Sequence, residues 1–395
     1  MRRSGRGACV GGQARQKCER VRVTPEEQRD FHAVDHQPLV AISILNWNGW
    51  RDTLKCLESV RQLDYPNYLT VVLDNGSWND SVEEIRAWAR ETLPDQTAFV
   101  EYTRETALRG GEPDLEARLD AAGSPNRLVL IRNEENLGFT GANNVVFRYA
   151  LSRRKRAGCL FTLNNDAVVK PDTLTHLVST GIESGAGVVG AVVIGKGRPD
   201  SRFEGPFSLL GQLFTPLLSP QRRKPDKRER FWTSDMVAGT AMLIRSDVLE
   251  KVRRSTGEFL CNELFMYWDD QAFCLQARRA GYSCVFSRDA TVHHEWGKHW
   301  DKGYSSYYCQ RNKILLVNMV FPLKWKLVFH MVNLPIGLAK IVHATLRGRT
   351  AVARALLLGM CDGYRGIGGK WKYHDQRAGQ RGSPTDASVT RAVLK

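Results

Sequence analysis

The sequence predicts an α/β protein: a mostly parallel sheet flanked by helices, followed by a helical, amphipathic C-terminal region. Three observations predict it. Short apolar runs rich in branched residues recur through the first half of the chain and alternate with stretches of helical periodicity. Three of those runs end in a polar residue, Asn46, Asp74 and Asp166, and open parallel sheets bind ligands outside the carboxyl ends of their strands. Beyond Tyr307 apolar residues are bordered by Trp325, Lys326, Lys340, Arg347 and Arg349, the mark of amphipathic helices.

The elements follow in order. Residues 1–37 are basic and without periodicity, and read as a flexible extension. LVAISIL from Leu39 is a strand, and Trp50 to Gln62 is a helix with Leu54, Leu57 and Val60 in phase and Asp52 in its first turn. YLTVVLD is the second strand, NGSWND a turn and SVEEIRAWAR a helix. The polar stretch Pro94 to Asn126 reads as an insertion. RLVLIRN is the third strand, GANNVVFRYALSRRKRA a helix, and CLFTLNND a fourth strand ending at Asp166. DTLTHLVST, GAGVVGAVVI and MVAGTAMLIRSDVLEKV read as helix, strand, and strand then helix. A further helix runs from Asp269 or Asp270 to Ala280, where Gly281 stops it, and SCVFSRDATVHHEW adds a strand or two. The implied division is an α/β domain over 38–310 and a helical, basic region over 311–395.

Composition narrows the function classes. The chain has 395 residues, 42% hydrophobic and 25% charged, a globular balance. Its longest uncharged apolar stretch, Leu327 to Ala339, is 13 residues long and is broken by His330, Asn333 and Pro335. That falls short of the roughly 20 residues that span a bilayer, so an integral membrane protein is not expected. The N-terminus lacks the apolar core of a secretory signal. Nine cysteines without CxxC spacing point away from disulfide or zinc frameworks and towards a cytoplasmic protein. The net charge of +15 resides in residues 1–30, 221–230 and 346–395, the rest being neutral. Those segments are either a solvated face or contacts for an anionic surface, phospholipid headgroups or nucleic acid. No recognised nucleic-acid motif accompanies them.

Several residue groups carry candidate chemistry. Asn164-Asn165-Asp166 leaves an apolar strand as a carboxylate with amides, suited to a hard divalent cation or to an Asx turn before Pro171. Asn136 to Gly141 joins a strand to a helix, where glycines admit a ligand and a helix N-terminus favours phosphate. It lacks both the GxGxxG spacing and a Walker lysine. Asp269 and Asp270 suit a helix start, or a general base beside the aromatic platform of Tyr267 and Trp268. His293 and His294 at a strand end offer imidazole ligands.

Taken together, the segments SILNWNGWRDTLKCLESV, VVLDNGSWNDS, ENLGFTGANNV, LFTLNNDAVVKPD, MVAGTAMLIRSDVLEKV, MYWDDQAFCLQARRAGY and TVHHEW resemble the inverting glycosyltransferases of family 2, which have the GT-A fold. They stand in family order from Val40 to Trp296, and are most similar to the branch of rhamnosyltransferases and galactofuranosyltransferases. The resemblance implies a GT-A catalytic domain over 38–310 with Asn46, Asp74, Asn136, Gly138 and Asn165 at the nucleotide-sugar. It implies Asp166 and His294 as ligands of Mg²⁺ or Mn²⁺, Asp270 as catalytic base with Asp269 beside it, and Trp268, Gly239 and Thr240 at the acceptor. The NND form of the metal motif departs from the acid-rich form. The implied reaction moves a hexose such as rhamnose or galactofuranose from a UDP- or dTDP-linked donor to a glycan or polyprenyl-linked acceptor, by single displacement. The expected setting is the cytoplasm or the inner face of the cell membrane, peripherally bound; the C-terminal helices either lie on that surface, or pack on the catalytic domain or as a dimer contact. The alternative is a non-catalytic basic protein on the same scaffold, binding nucleic acid or membrane.

Overall fold

A computed structural model gives the fold. It describes residues 37–93, 98–195, 228–294 and 302–372, together with Arg202–Phe203, Leu209 and Leu213. The N-terminal extension to residue 36, most of the 221–230 loop, Glu295 and Trp296, and the tail beyond Lys372 lie outside the described residues.

The first half alternates strand and helix: β1 (Val40–Asn46), α1 (Trp50–Val60), β2 (Tyr68–Asn75), α2 (Ser81–Thr92), β3 (Phe99–Thr103), the short α3 (Arg104–Leu108), α4 (Pro113–Ala121), β4 (Leu128–Asn133), α5 (Gly138–Ser152) and β5 (Cys159–Asn164). Then come β6 (Ala167–Val169), α6 (Thr173–Ser184), β7 (Val188–Gly195), β8 (Arg202–Phe203), β9 (Phe231–Ser234), β10 (Ala241–Arg245), α7 (Ser246–Thr256), α8 (Asp269–Arg279) and β11 (Cys284–His294). Three helices follow: α9 (Lys302–Val320), α10 (Leu323–Leu346) and α11 (Thr350–Tyr364).

Among the described residues these strands form one sheet, ordered β3-β4-β2-β1-β5-β10-β7-β11-β6, with β8 beside β7 and β9 beside β11. Strands β3, β4, β2, β1 and β5 are parallel, whereas β10 runs antiparallel between β5 and β7. The strands read as unbroken apolar runs because both faces are covered. One core packs Ile42, Ile44 and Val72 against Leu57, Ile85 and Leu174 of α1, α2 and α6. The other packs Ile244 and Phe286 with Phe147, Val248 and Phe273 of α5, α7 and α8.

The sequence reading placed an insertion at Pro94 to Asn126. Its described part instead supplies the edge strand β3 and helices α3 and α4. Buried Glu116 on α4 accepts hydrogen bonds from the Tyr102 and Tyr149 hydroxyls at 3.0 and 2.7 Å. It also pairs with fully buried Arg153 at 2.7 Å, which reaches Asp120 at 2.7 Å. A buried charge has to be matched, so this polar stretch is polar because it carries an interior network. Likewise β5 stops at Asn164 rather than at Asp166, since Asn165 and Asp166 turn the chain into β6.

Helix α9 crosses position 310/311 without a break. Its Ile314 and Val317 pack with Phe329 of α10 and Met360 of α11. Helix α10, at 24 residues, is long and apolar enough to cross a membrane by length and composition, which the sequence reading did not expect. Counting uncharged residues stopped at Lys340, whereas the helix continues through it. One face, with Phe329, Asn333, Gly337 and Ala344, is buried, and the opposite face leaves Leu327, Met331, Leu338 and Val342 exposed.

Candidate functional site

The site is assembled at the carboxyl ends of β1, β2, β4 and β5. Asn46 and Asp74 lie opposite each other in the β1–β2 register, and Asn46 Nδ2 donates to Asp74 Oδ1 at 3.0 Å. The same amide donates to Ser77 Oγ, and Asn46 Oδ1 accepts from Thr53 Oγ1 at 2.8 Å. Asp74 Oδ2 accepts the Ser77 N–H at 3.1 Å. Both residues are buried, so they frame the strand ends and fix the following turn. The turn presents Trp78, 57% exposed, edge-on to Trp47 at 5.4 Å between ring centroids. These two rings, with Gly76, Glu134, Asn136 and Lys370, line a cavity of about 430 Å³.

Asn136 and Gly138 belong to the next loop. Asn75, which the sequence reading passed over, ties it together: its amide donates to Asn136 Oδ1 at 3.0 Å and to the Gly138 carbonyl, and its Oδ1 accepts from the Leu137 N–H. Gly138 has φ +72, and a Cβ there would lie 2.4 Å from the Phe265 carbonyl oxygen, so close approach and backbone sign both demand glycine. At the N-terminus of α5, read from the sequence as favouring phosphate, the Gly138 N–H donates to Asn136 Oδ1 and the Thr140 N–H to the Phe265 carbonyl, in the loop that follows α7.

Strand pairing explains the candidate metal pair. Antiparallel β6 and β11 place His294 opposite Ala167, and so beside Asp166, although they are far apart in sequence. His294 Nε2 is 2.8 Å from Asp166 Oδ1. The alternation of a strand turns His293 to the exposed side, which settles which histidine faces the site. Asn165, the next residue on the chain, donates its amide to Thr53 Oγ1 at 3.0 Å. No cluster of three or more His, Cys, Asp or Glu ligands forms among the described residues. One carboxylate and one imidazole nevertheless suit Mg²⁺ or Mn²⁺ completed by diphosphate oxygens and water. Two ligands about 2.1 Å from a cation and at right angles lie about 3 Å apart, close to the observed separation.

Asp269 and Asp270 open α8. Gly239 N–H donates to Asp270 Oδ2 at 3.1 Å and Gln271 N–H to Oδ1 at 2.9 Å. Burial raises the Asp270 carboxyl, and burial together with the adjacent Asp270 raises Asp269 well above the ordinary carboxylate range. The two backbone N–H groups that Asp270 accepts favour its charged form. Gly239 and Thr240 connect the two halves of the site: the Thr240 carbonyl accepts from the Asn164 N–H, and Asn164 Nδ2 lies 3.4 Å from His294 Nε2. They bridge Asp270 to the Asp166–His294 pair.

The segment leading to α8 is backbone-strained. Phe265, Tyr267 and Trp268 have φ of +62, +64 and +66, unusual for residues with side chains. Two buried residues of α9 hold it. Asn312 Nδ2 donates to the carbonyls of Leu264, Met266 and Tyr267 at 2.7, 2.7 and 2.9 Å. Arg311 donates to Asn312 Oδ1, to the Leu264 carbonyl and, at 2.7 Å, to the Gly369 carbonyl. Sequence reasoning missed both, along with Trp47, Trp78, Asn75 and Lys370. The two tryptophans were legible as aromatics inside LNWNGW and NGSWND; Arg311 and Asn312 left only a polar pair within an apolar helix.

Residues 113–253 match the family model of glycosyl transferase family 2. Over 191 residues, 47% of the chain, the sequence is 25% identical to the low-salt glycan biosynthesis hexosyltransferase Agl10 of Haloferax volcanii. That match takes in 59% of the relative's length. The fold is similar to that of the mannosyltransferase PcManGT from Pyrobaculum calidifontis, solved in complex with GDP-Man and Mn²⁺. There the TM-score is 0.51 and the identity 15%, over 86% of this chain and 93% of the other.

Proposed function

We propose that this chain, a homologue of the family 2 glycosyltransferases and of a hexosyltransferase within it, transfers a hexose from a nucleoside-diphosphate donor to an acceptor hydroxyl with inversion. The observation that carries the reading is the bridge of Asn164, Thr240 and Gly239, which sets a buried carboxylate and an Asp–His pair into one site. The Trp47–Trp78 cavity takes the nucleotide. Asp166 and His294 would hold the cation, which would supply neutralisation of charge on the departing diphosphate. Asp270 takes the proton of the acceptor hydroxyl. The hydroxyl oxygen forms the new bond to the anomeric carbon, and the old carbon–oxygen bond breaks with its electron pair going to the nucleoside diphosphate. Asp269 stays protonated beside it.

The finer assignment to rhamnosyl or galactofuranosyl transfer, from a dTDP- or UDP-linked donor, is supported by the run Trp268-Asp269-Asp270 at the start of α8. A peripheral position on the inner face of the cell membrane, with a glycan or polyprenyl-linked acceptor, is supported by the exposed apolar face of α10 and by Lys324 at its start.

Calorimetric titration with UDP, dTDP and GDP, each with and without Mn²⁺, tests the proposal. One nucleotide is expected to bind more tightly with Mn²⁺, and His294→Ala to lose that enhancement. Asp270→Asn is expected to keep the binding and lose sugar transfer. Absence of binding by all three nucleotides to the folded chain refutes the reading.

A further inference from the structure

A second cavity, of about 600 Å³, borders the loop of Asn136 and is walled by α3, α5, the end of α7 and the segment after α11. Its volume suits a small metabolite. Arg104 opens α3, Arg148 stands on α5, Arg253 lies in the last turn of α7 and Lys370 follows α11, and all four line the cavity. The acids in the lining are Glu135 and Glu258, so two positive charges are in excess. Those acids are partly engaged. Glu258 accepts from the backbone and side-chain amides of Asn262 at 2.9 and 2.7 Å, and Glu135 is 3.7 Å from Arg104, longer than a hydrogen bond. Arg148 makes no ion pair among the described residues. Cations spread over a convex face are screened by solvent, whereas cations from four elements that converge on a concavity concentrate their field there. Guanidinium forks match phosphate oxygens, and an excess of two charges matches one phosphate monoester dianion. Leu108, Val145 and Phe259 give an apolar wall to the carbon skeleton of such an ester.

The Trp47–Trp78 cavity shares Glu135, Asn136 and Lys370 with this one. The backbone on both sides of Lys370 is fixed. Gly369 N–H donates to the Glu263 carbonyl and the Gly369 carbonyl accepts from Arg311, both at 2.7 Å. Trp371 N–H donates to the Tyr308 hydroxyl at 2.8 Å, and its ring stacks on Tyr307 at 4.4 Å. Between these anchors the lysine side chain divides itself between two cavities. We infer that the larger cavity is a second ligand site, for a small phosphate monoester, which weakens nucleotide binding by drawing the Lys370 ammonium away from the Trp47–Trp78 cavity. The site stands on its own residues; the coupling rests on the transferase reading, which puts the nucleotide between the two tryptophans. With Lys370 turned to the ester, Glu134 and Glu135 face the smaller cavity without it, and a nucleoside diphosphate meets net negative charge there. Linkage is reciprocal, so the nucleotide weakens the ester by the same factor.

The test is calorimetry on the full chain at about pH 8, where a phosphate monoester is a dianion. The probes are glucose 6-phosphate, the monoanionic glucose 6-sulfate, and glucose, titrated first with chelator and no metal. Glucose 6-phosphate is expected to bind at least about tenfold more tightly than either of the others, and Arg148→Gln to weaken it by about tenfold, with melting temperature confirming that the variant is folded. Equal affinity in Arg148→Gln overturns the inference, and so does glucose 6-sulfate matching the phosphate. Nucleotide is then titrated with Mn²⁺ at rising glucose 6-phosphate. Its affinity should fall by about fivefold or more and then level off, and in Lys370→Met the fall should shrink to within about twofold. A fall that never levels off shows one continuous site and overturns the inference, as does a fall within about twofold in the unaltered chain. Absence of Mn²⁺-dependent nucleotide binding refutes the transferase reading, whereas the metal-free titrations decide the phosphate site independently of it.

Discussion

Asn312→Ala removes no residue that touches a reacting atom, yet it should cost most of the activity. Its amide supplies two protons to the carbonyls of Leu264, Met266 and Tyr267, and its carbonyl accepts from Arg311 Nε at 2.8 Å. At about 1 kcal/mol for each neutral bond and about 1.5–3 for the charged one, the loss is about 3–5 kcal/mol. Against it stand the left-handed backbones of Phe265, Tyr267 and Trp268, at about 1–3 kcal/mol each. The clamp and the strain are of the same size, so without Asn312 the segment relaxes and Asp270 leaves its place over Gly239. A displacement near 1 Å costs about a hundredfold in turnover. The assay is steady-state transfer, with nucleotide affinity and melting temperature measured alongside. The expected result is a fall in kcat of about a hundredfold with Mn²⁺-dependent nucleotide affinity changed by less than tenfold. A kcat within about twofold of the unaltered chain would refute the clamp. A proportionate loss of nucleotide binding would show a general structural defect instead.

The pH profile should be just as specific. Asp270 acts as carboxylate and its pKa is raised by burial, so activity should rise with pH along a limb lying above the ordinary carboxylate value of about 3.9, then level off; a limb at or below that value would remove Asp270 from the base role. Asp269, raised further, contributes stability that is fully present below its unfolded pKa and lost as pH rises through its folded one; Asp269→Asn should therefore gain in melting temperature at neutral pH, and an unchanged value would contradict the assignment. Met331→Glu, on the exposed face of α10, should lower sedimentation with anionic phosphatidylglycerol vesicles while leaving nucleotide binding intact, and unchanged sedimentation would detach α10 from the membrane.

Most of the sheet was legible because fully covered parallel strands write themselves as apolar runs, and the runs at Val40, Tyr68, Leu128 and Cys159 are such strands. The polar residues at their ends were legible for the same reason. What each one touches was not. Asn46 looked like a ligand contact and is spent on Asp74, Ser77 and Thr53, because side-chain partners depend on the turn geometry that joins different strands. The pairing of Asp166 with His294 depends on a three-residue strand, β6, too short to leave a periodic signal. Glu116 fell in the polar stretch read as an insertion and Arg153 in a helix, and nothing in the sequence joined them; only their mutual pairing allows them inside. The clamp of Arg311 and Asn312 was least visible of all, since it joins a helix to backbone carbonyls, which have no sequence signature.

That clamp also sets a timetable. The strands that frame the Trp47–Trp78 cavity precede Asn164, whereas the loop bearing the two aspartates waits for Asn312, 45 to 48 residues downstream, and Arg311 is itself anchored at Gly369. Chains fold as they leave the ribosome, earliest segments first. During synthesis the parallel strands can form well before His294, Asn312 and Lys370 arrive, so the proposed cation, base and nucleotide positions are all completed late. A chain cut before Asn312 would thus be a sheet without its finished carboxyl edge, and the last helices are what close the site rather than an appendage to it.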